Sequence, residues 1–99
     1  MADRTEDVES IVRRAAEALV AAGAREVYVF GSCARGDESQ GSDLDLAVSG
    51  IPPSRYFAAA GAAQEAASGT GRMVDVIDLD VRTPLTEYLR VSGSLCRVA

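Results

Sequence analysis

The chain has 99 residues, 47% of them hydrophobic, with a mean hydropathy of +0.05; this suits one small domain over residues 1–99 and excludes a second core. Its net charge is −5 and all ten cations are arginines, so no broad basic surface exists for unaided binding to nucleic acid. Histidine is absent, which excludes a Ser-His-Asp triad, an imidazole base and most zinc sites, and leaves carboxylates as ligands for a hard metal ion.

Residues 5–22 carry Val8, Ile11, Val12, Ala15, Leu19 and Ala22 at helical spacing. Asp3 or Thr5 serves as N-cap, Gly23 as the stop, and Glu9, Arg13, Arg14 and Glu17 form a solvated, ion-paired face. The run Glu26 to Phe30 is β-branched and aromatic and predicts a buried strand ending at the Gly31-Ser32 turn. A polar, turn-forming stretch over 36–42 leads to a second strand over 43–49, where strict alternation sends Leu44, Leu46 and Val48 to the core and Asp43, Asp45 and Ala47 to the opposite face. Pro52-Pro53 opens an alanine-rich helix over about 54–67, in which Gly61 allows close approach to the sheet. A third strand follows over about 72–79. Thr83 and Pro84 then supply the N-cap and first turn of a short helix with Leu85, Tyr88 and Leu89 inward, ending at Gly93, and the tail around Cys96 adds an edge strand.

The chemistry concentrates on the second and third strands. Two residues of strand rise separate Asp43 from Asp45 by about 7 Å on one face. Like charges held this way repel, so the pair makes sense with a divalent cation between them; Mg²⁺ takes hard oxygen ligands and leaves room for water and substrate phosphate. A solvated strand face explains such a pair equally well until Asp75 is considered. It lies between Met73-Val74 and Val76-Ile77, an apolar run in which a buried carboxylate needs a partner. Asp78 has the opposite strand parity, and its place beside Asp80 suits a turn or cap, so Asp75 is the preferred third carboxylate. Upstream, the Gly31-Ser32 turn lets backbone N–H groups and a hydroxyl approach a phosphate, and Arg35 is placed to clamp it.

Cys33 and Cys96 form no closely spaced pair, and no signal or membrane-spanning segment is evident. This predicts reduced, partly buried thiols and a cytoplasmic protein without a membrane partner. A domain this small buries only about 60–65% of its unfolded surface, so a homo-oligomer or a partner would help stabilise it.

In order, Gly31-Ser32-Cys33-Ala34-Arg35-Gly36, then Ser42-Asp43-Leu44-Asp45-Leu46, then Val74-Asp75-Val76-Ile77-Asp78-Leu79 resemble the minimal nucleotidyltransferases of the DNA polymerase beta-like superfamily. The likeness covers about residues 26–98. It implies an α/β (α+β) fold, a small mixed sheet packed against helices in the order α-β-β-α-β-α(-β). It also implies that Asp43, Asp45 and Asp75 hold two Mg²⁺ ions about 4 Å apart for in-line displacement at the α-phosphorus of an NTP, ATP above all. Asp75 would serve the acceptor side, while Gly31, Ser32 and Arg35 would hold the leaving phosphates. Such stand-alone domains are commonly paired with a helical HEPN-domain protein as antitoxin and toxin, and some transfer AMP to a tyrosine of that partner. Two other readings stay open: a catalytically idle partner-binding module, and transfer to a small molecule such as an aminoglycoside, whose cationic character an acidic cleft would attract.

Overall fold

The computed structural model describes residues 8–30 and 43–99. The expected caps Asp3 and Thr5, and the turn holding Gly31, Ser32, Cys33 and Arg35, lie outside the described residues. In chain order the elements are α1 (Val8–Ala21), β1 (Glu26–Phe30), β2 (Leu44–Ser49), a 3-10 turn (Pro53–Arg55) continuing into α2 (Tyr56–Ala66), β3 (Val74–Asp78), α3 (Pro84–Ser92) and β4 (Cys96–Arg97). This is the α-β-β-α-β-α-β order expected from the sequence.

The four strands form one mixed sheet in the order β3-β2-β1-β4. β1 runs antiparallel to both β2 and β4, whereas β2 and β3 are parallel. The 3-10 turn and α2 make the crossover that a parallel pair requires. Alternation sorts the two faces. Val27, Val29, Leu44, Leu46, Val48, Val74 and Val76 point to a rear face, where they meet Ile11, Val12, Ala15 and Leu19 of α1 and Ala59 and Ala63 of α2 in the main core. On the front face Ala47 is fully buried with Leu79 and Leu89, and Tyr28, Phe30, Ile77 and Leu95 pack around them.

α1 ends in a Schellman motif: the Ala24 N–H reaches the Leu19 carbonyl (3.0 Å), the Gly23 N–H reaches that of Val20 (3.0 Å), and Gly23 has φ 121°. Arg14 departs from the solvated face predicted for it. Its Nε and Nη2 donate to the Ala66 carbonyl at 3.2 and 2.6 Å, a cation on the last turn of α2 that ties the two rear helices together. Gly61 also departs from expectation, since a Cβ there would meet nothing within 4 Å; the small side chains of Ala59 and Ala63 allow the close packing instead.

α3 opens as predicted. Thr83 Oγ1 accepts from the Thr86 N–H (3.1 Å), and Thr86 Oγ1 accepts from the Thr83 N–H (2.9 Å), with Pro84 in the first turn and Gly93 left-handed at the end. Its inward face differs from the prediction. Thr86 and Leu89 are buried, whereas Leu85 and Tyr88 are 47% and 60% exposed, because the reciprocal cap turns Thr86 inward, where it also donates to the Val81 carbonyl at 2.8 Å. Replacing Thr83 by Ala is expected to cost about 1 kcal/mol, read as a lower urea midpoint at unchanged m-value. Cys96 is likewise exposed rather than partly buried, since β4 is a two-residue strand at the sheet edge.

Candidate active site

The carboxylates gather on the uncovered part of the front face, away from α3. Asp45 lies on β2, the central strand beside β3, and is directly opposite Asp75 in the parallel register. Neighbouring strands are about 4.8 Å apart and directly paired residues project to the same side, so these two side chains are lateral neighbours. Phe30 is paired with Asp45 on its other flank. Asp43 is exposed and immediately precedes β2, with its charge acting on Asp45.

Burial raises the pKa of Asp45 above the ordinary aspartate value, and the negative charges of Asp75 and then Asp43 raise it further. At neutral pH this ionised group therefore opposes folding. The penalty is complete above its folded-state pKa and disappears as the pH falls through that value toward the unfolded 3.8. Without metal, Asp45→Asn is expected to melt higher than the wild type at pH 7, with the advantage shrinking as the buffer is taken to pH 4. Scanning calorimetry in EDTA checks this, and an unchanged difference across that range would rule out the carboxylate repulsion.

Asp75 is exposed, not enclosed as the flanking apolar residues implied, because β3 is an edge strand and α3 leaves this part of the face open. Asp78 is opposite the buried Val48 rather than a carboxylate, and its Oδ1 accepts from the Asp80 N–H at 2.9 Å, a turn cap. Asp80 has a structural role that strand reading missed. Its carboxylate accepts from the Gly50 N–H (2.8 Å) and the Ser49 hydroxyl (3.3 Å) and pairs with Arg90 (3.6 Å), while Arg90 also donates to the Leu79 carbonyl (2.5 Å). These contacts tie the ends of β2 and β3 to α3 and so brace the strands that present Asp45 and Asp75.

Among the described residues no three Asp, Glu, Cys or His side chains close a cage around an ion. The donor set nevertheless suits Mg²⁺, which binds through one or two carboxylates and takes its remaining ligands from water and substrate phosphate. The repulsion from Asp75 and Asp43, which adds to burial in raising the Asp45 pKa, is what a divalent cation would relieve. Beyond Asp75 the β3 edge opens into a cleft of about 410 Å³ lined by Tyr56, Phe57, Ile77, Asp78, Val81 and Leu85 among others. Sequence reading gave no sign of it, since its walls come from two helix starts distant in the chain.

Comparison with known proteins places these features in context. A sequence profile described as the nucleotidyltransferase domain matches residues 10–98. No curated protein matches the chain. Among solved structures, one assigned as a minimal nucleotidyltransferase is 28% identical over 98% of this chain and 99% of its own, with a TM-score of 0.66. A crystal structure of a toxin-antitoxin with AMP-PNP is similar in fold, at 22% identity over 92% of this chain and 72% of that one, with a TM-score of 0.64. A protein from Sulfolobus solfataricus assigned as a nucleotidyltransferase shares the fold at 22% identity, covering 89% of this chain and 76% of that one with a TM-score of 0.51.

Proposed function

This chain belongs to the nucleotidyltransferase domain family, and from that membership we propose that it transfers AMP from ATP to a hydroxyl of a partner protein, with Mg²⁺ at Asp43, Asp45 and Asp75. The observation that carries the proposal is the Asp45–Asp75 register pair on an open sheet face, with Asp43 beside it. Mg²⁺ bound there supplies charge neutralisation for the reacting phosphates. The chain's own residues position the parts: Asp43 and Asp45 face the nucleotide, Asp75 accepts the proton of the acceptor hydroxyl, and Gly31, Ser32 and Arg35 hold the departing phosphates. Phosphoryl transfer depends chiefly on positioning and charge stabilisation, so a domain of this size is sufficient for it.

The toxin-antitoxin neighbour supports a partner protein as acceptor, and in this reading the partner is a HEPN-domain toxin that the transfer neutralises. The chain acts as a single domain in the cytoplasm; among the described residues no helix is long and apolar enough to cross a membrane. Incubating the protein with α-labelled ATP, Mg²⁺ and the product of the adjacent gene is expected to label that product, and EDTA to prevent it. An unlabelled partner with fully folded wild-type protein would refute the enzyme reading and leave a binding module.

A further inference from the structure

Resting on nucleotidyl transfer at Asp75, the geometry points to the cleft on the β3 edge as the docking site of the acceptor: a polypeptide segment that seats a bulky apolar side chain there and sets an arginine or lysine against Asp78. The walls are the start of α2, with Tyr56 and Phe57, and the approach to α3, with Val81 and Leu85; Ile77 and Asp78 form the floor. Phe57, Val81 and Leu85 are 85%, 54% and 47% exposed, unusually open for apolar side chains that line one concavity. Tyr56 is fixed by donating its hydroxyl to the Val76 carbonyl and by an edge-on contact with Phe57 at 5.4 Å between ring centroids. The wall is therefore preformed, which lowers the ordering cost of binding.

Three observations select the occupant. Ile77 is two residues beyond Asp75 on the same strand face, so a side chain seated on it lies about 7 Å from the proposed acceptor hydroxyl. In an extended segment that is a spacing of two residues. The β3 edge does not offer itself for strand addition, since Gln64 Oε1 accepts from the Val74 N–H (2.9 Å) and Tyr56 covers the Val76 carbonyl; recognition must come through side chains. Thr83 and Thr86 also line the cleft, with their hydroxyls engaged in the α3 cap, so the charged element of the lining is Asp78; burial raises the pKa of Tyr56, and the charges of Asp78 and Asp75 raise it further. An apolar anchor beside a cation satisfies both kinds of lining, whereas a polyhydroxylated aminoglycoside would leave Phe57, Val81 and Leu85 against sugar hydroxyls.

The probes are fluorescein-labelled peptides with a central Tyr or Ser, a Leu or Phe two residues away and flanking Arg, with controls in which the anchor is Ser or the Arg residues are Glu. Anisotropy is expected to show binding of the anchored, basic peptides to the wild type, weakened about tenfold or more by either control and by Phe57→Ser or Leu85→Ser. Both substitutions are at exposed positions, and circular dichroism confirms the fold. No peptide binding to the wild type, equal binding by Phe57→Ser, or wild-type self-association lost in Phe57→Ser, which would put a second copy in the cleft, would each overturn the proposal. Labelled ATP separates the two claims. Peptides that bind through Phe57 but acquire no label refute transfer and retain the docking site, while label transferred with an unchanged KM in Phe57→Ser refutes docking and retains transfer.

Discussion

Asp45→Asn and Asp43→Asn are each expected to reduce transfer of labelled AMP by about 10³-fold, equivalent to about 4 kcal/mol of lost transition-state stabilisation. The expectation follows from the isosteric loss of a formal charge where carboxylates are crowded: Asn retains the volume and one carbonyl oxygen but no longer neutralises a divalent cation. For Asp45 the effect on stability has the opposite sign. Removing its charge relieves the cost of burying it, the main cause of its raised pKa, together with the repulsion from Asp75 and Asp43, so the variant expected to be inactive is the more stable one in the absence of metal. Adding Mg²⁺ should reverse the order, because only the wild type gains stability from a bound ion. Activity and melting temperature moving in opposite directions is a signature that a misfolded variant cannot produce. If both variants retained activity, the carboxylate assignment would be wrong.

Leu46→Ala is expected to be the most destabilising single truncation, by about 3–5 kcal/mol. Leu46 is fully buried, on a strand hydrogen-bonded on both sides, and its side chain faces the main core under α1 and α2. Domains of this size are stable by only about 5–15 kcal/mol, so the midpoint of thermal unfolding should fall by about 15 °C or more. Urea unfolding at unchanged m-value measures it. A loss below about 1 kcal/mol would mean that the rear core closes over the vacancy. Leu46 is also the residue between Asp45 and Ala47, so loosening it should reduce transfer before global unfolding is reached.

Much of this arrangement was legible in the residues. The period-two alternation over 44–48 correctly divided Leu44, Leu46 and Val48 from Asp45 and Ala47, because β2 has a real core on one side and enforces parity. The same reasoning separated Asp75 from Asp78, and the parallel register brings Asp75 beside Asp45 and leaves Asp78 opposite Val48. The reading failed where an element is short or terminal. In α3, nine residues make too few turns for a stripe of Leu85, Tyr88 and Leu89 to define a face, and the reciprocal threonine cap decided the rotation. Asp75 was expected to be enclosed because its neighbours are apolar, but sequence does not tell an edge strand from a central one. Arg14 looked like an ordinary helix-surface charge since its acceptor, the Ala66 carbonyl, is 52 residues away. The turn expected at Gly31, Ser32 and Arg35 lies outside the described residues.

The α2 side chains that cover the outer groups of β3 also bear on how the protein survives in concentrated solution. At one end of the sheet Gln64 and Tyr56 occupy backbone groups that a foreign strand would need, and at the other β4 is only two residues long. Lateral growth into fibrils, the usual hazard of an open β-sheet, is thus discouraged at both ends, where the edge strands also carry charges, Asp75 and Asp78 on β3 and Arg97 on β4. A variant lacking both side chains, Gln64→Ala with Tyr56→Ala, would keep the carboxylates of the front face but lose this protection, and its shelf life at high concentration would reveal the difference.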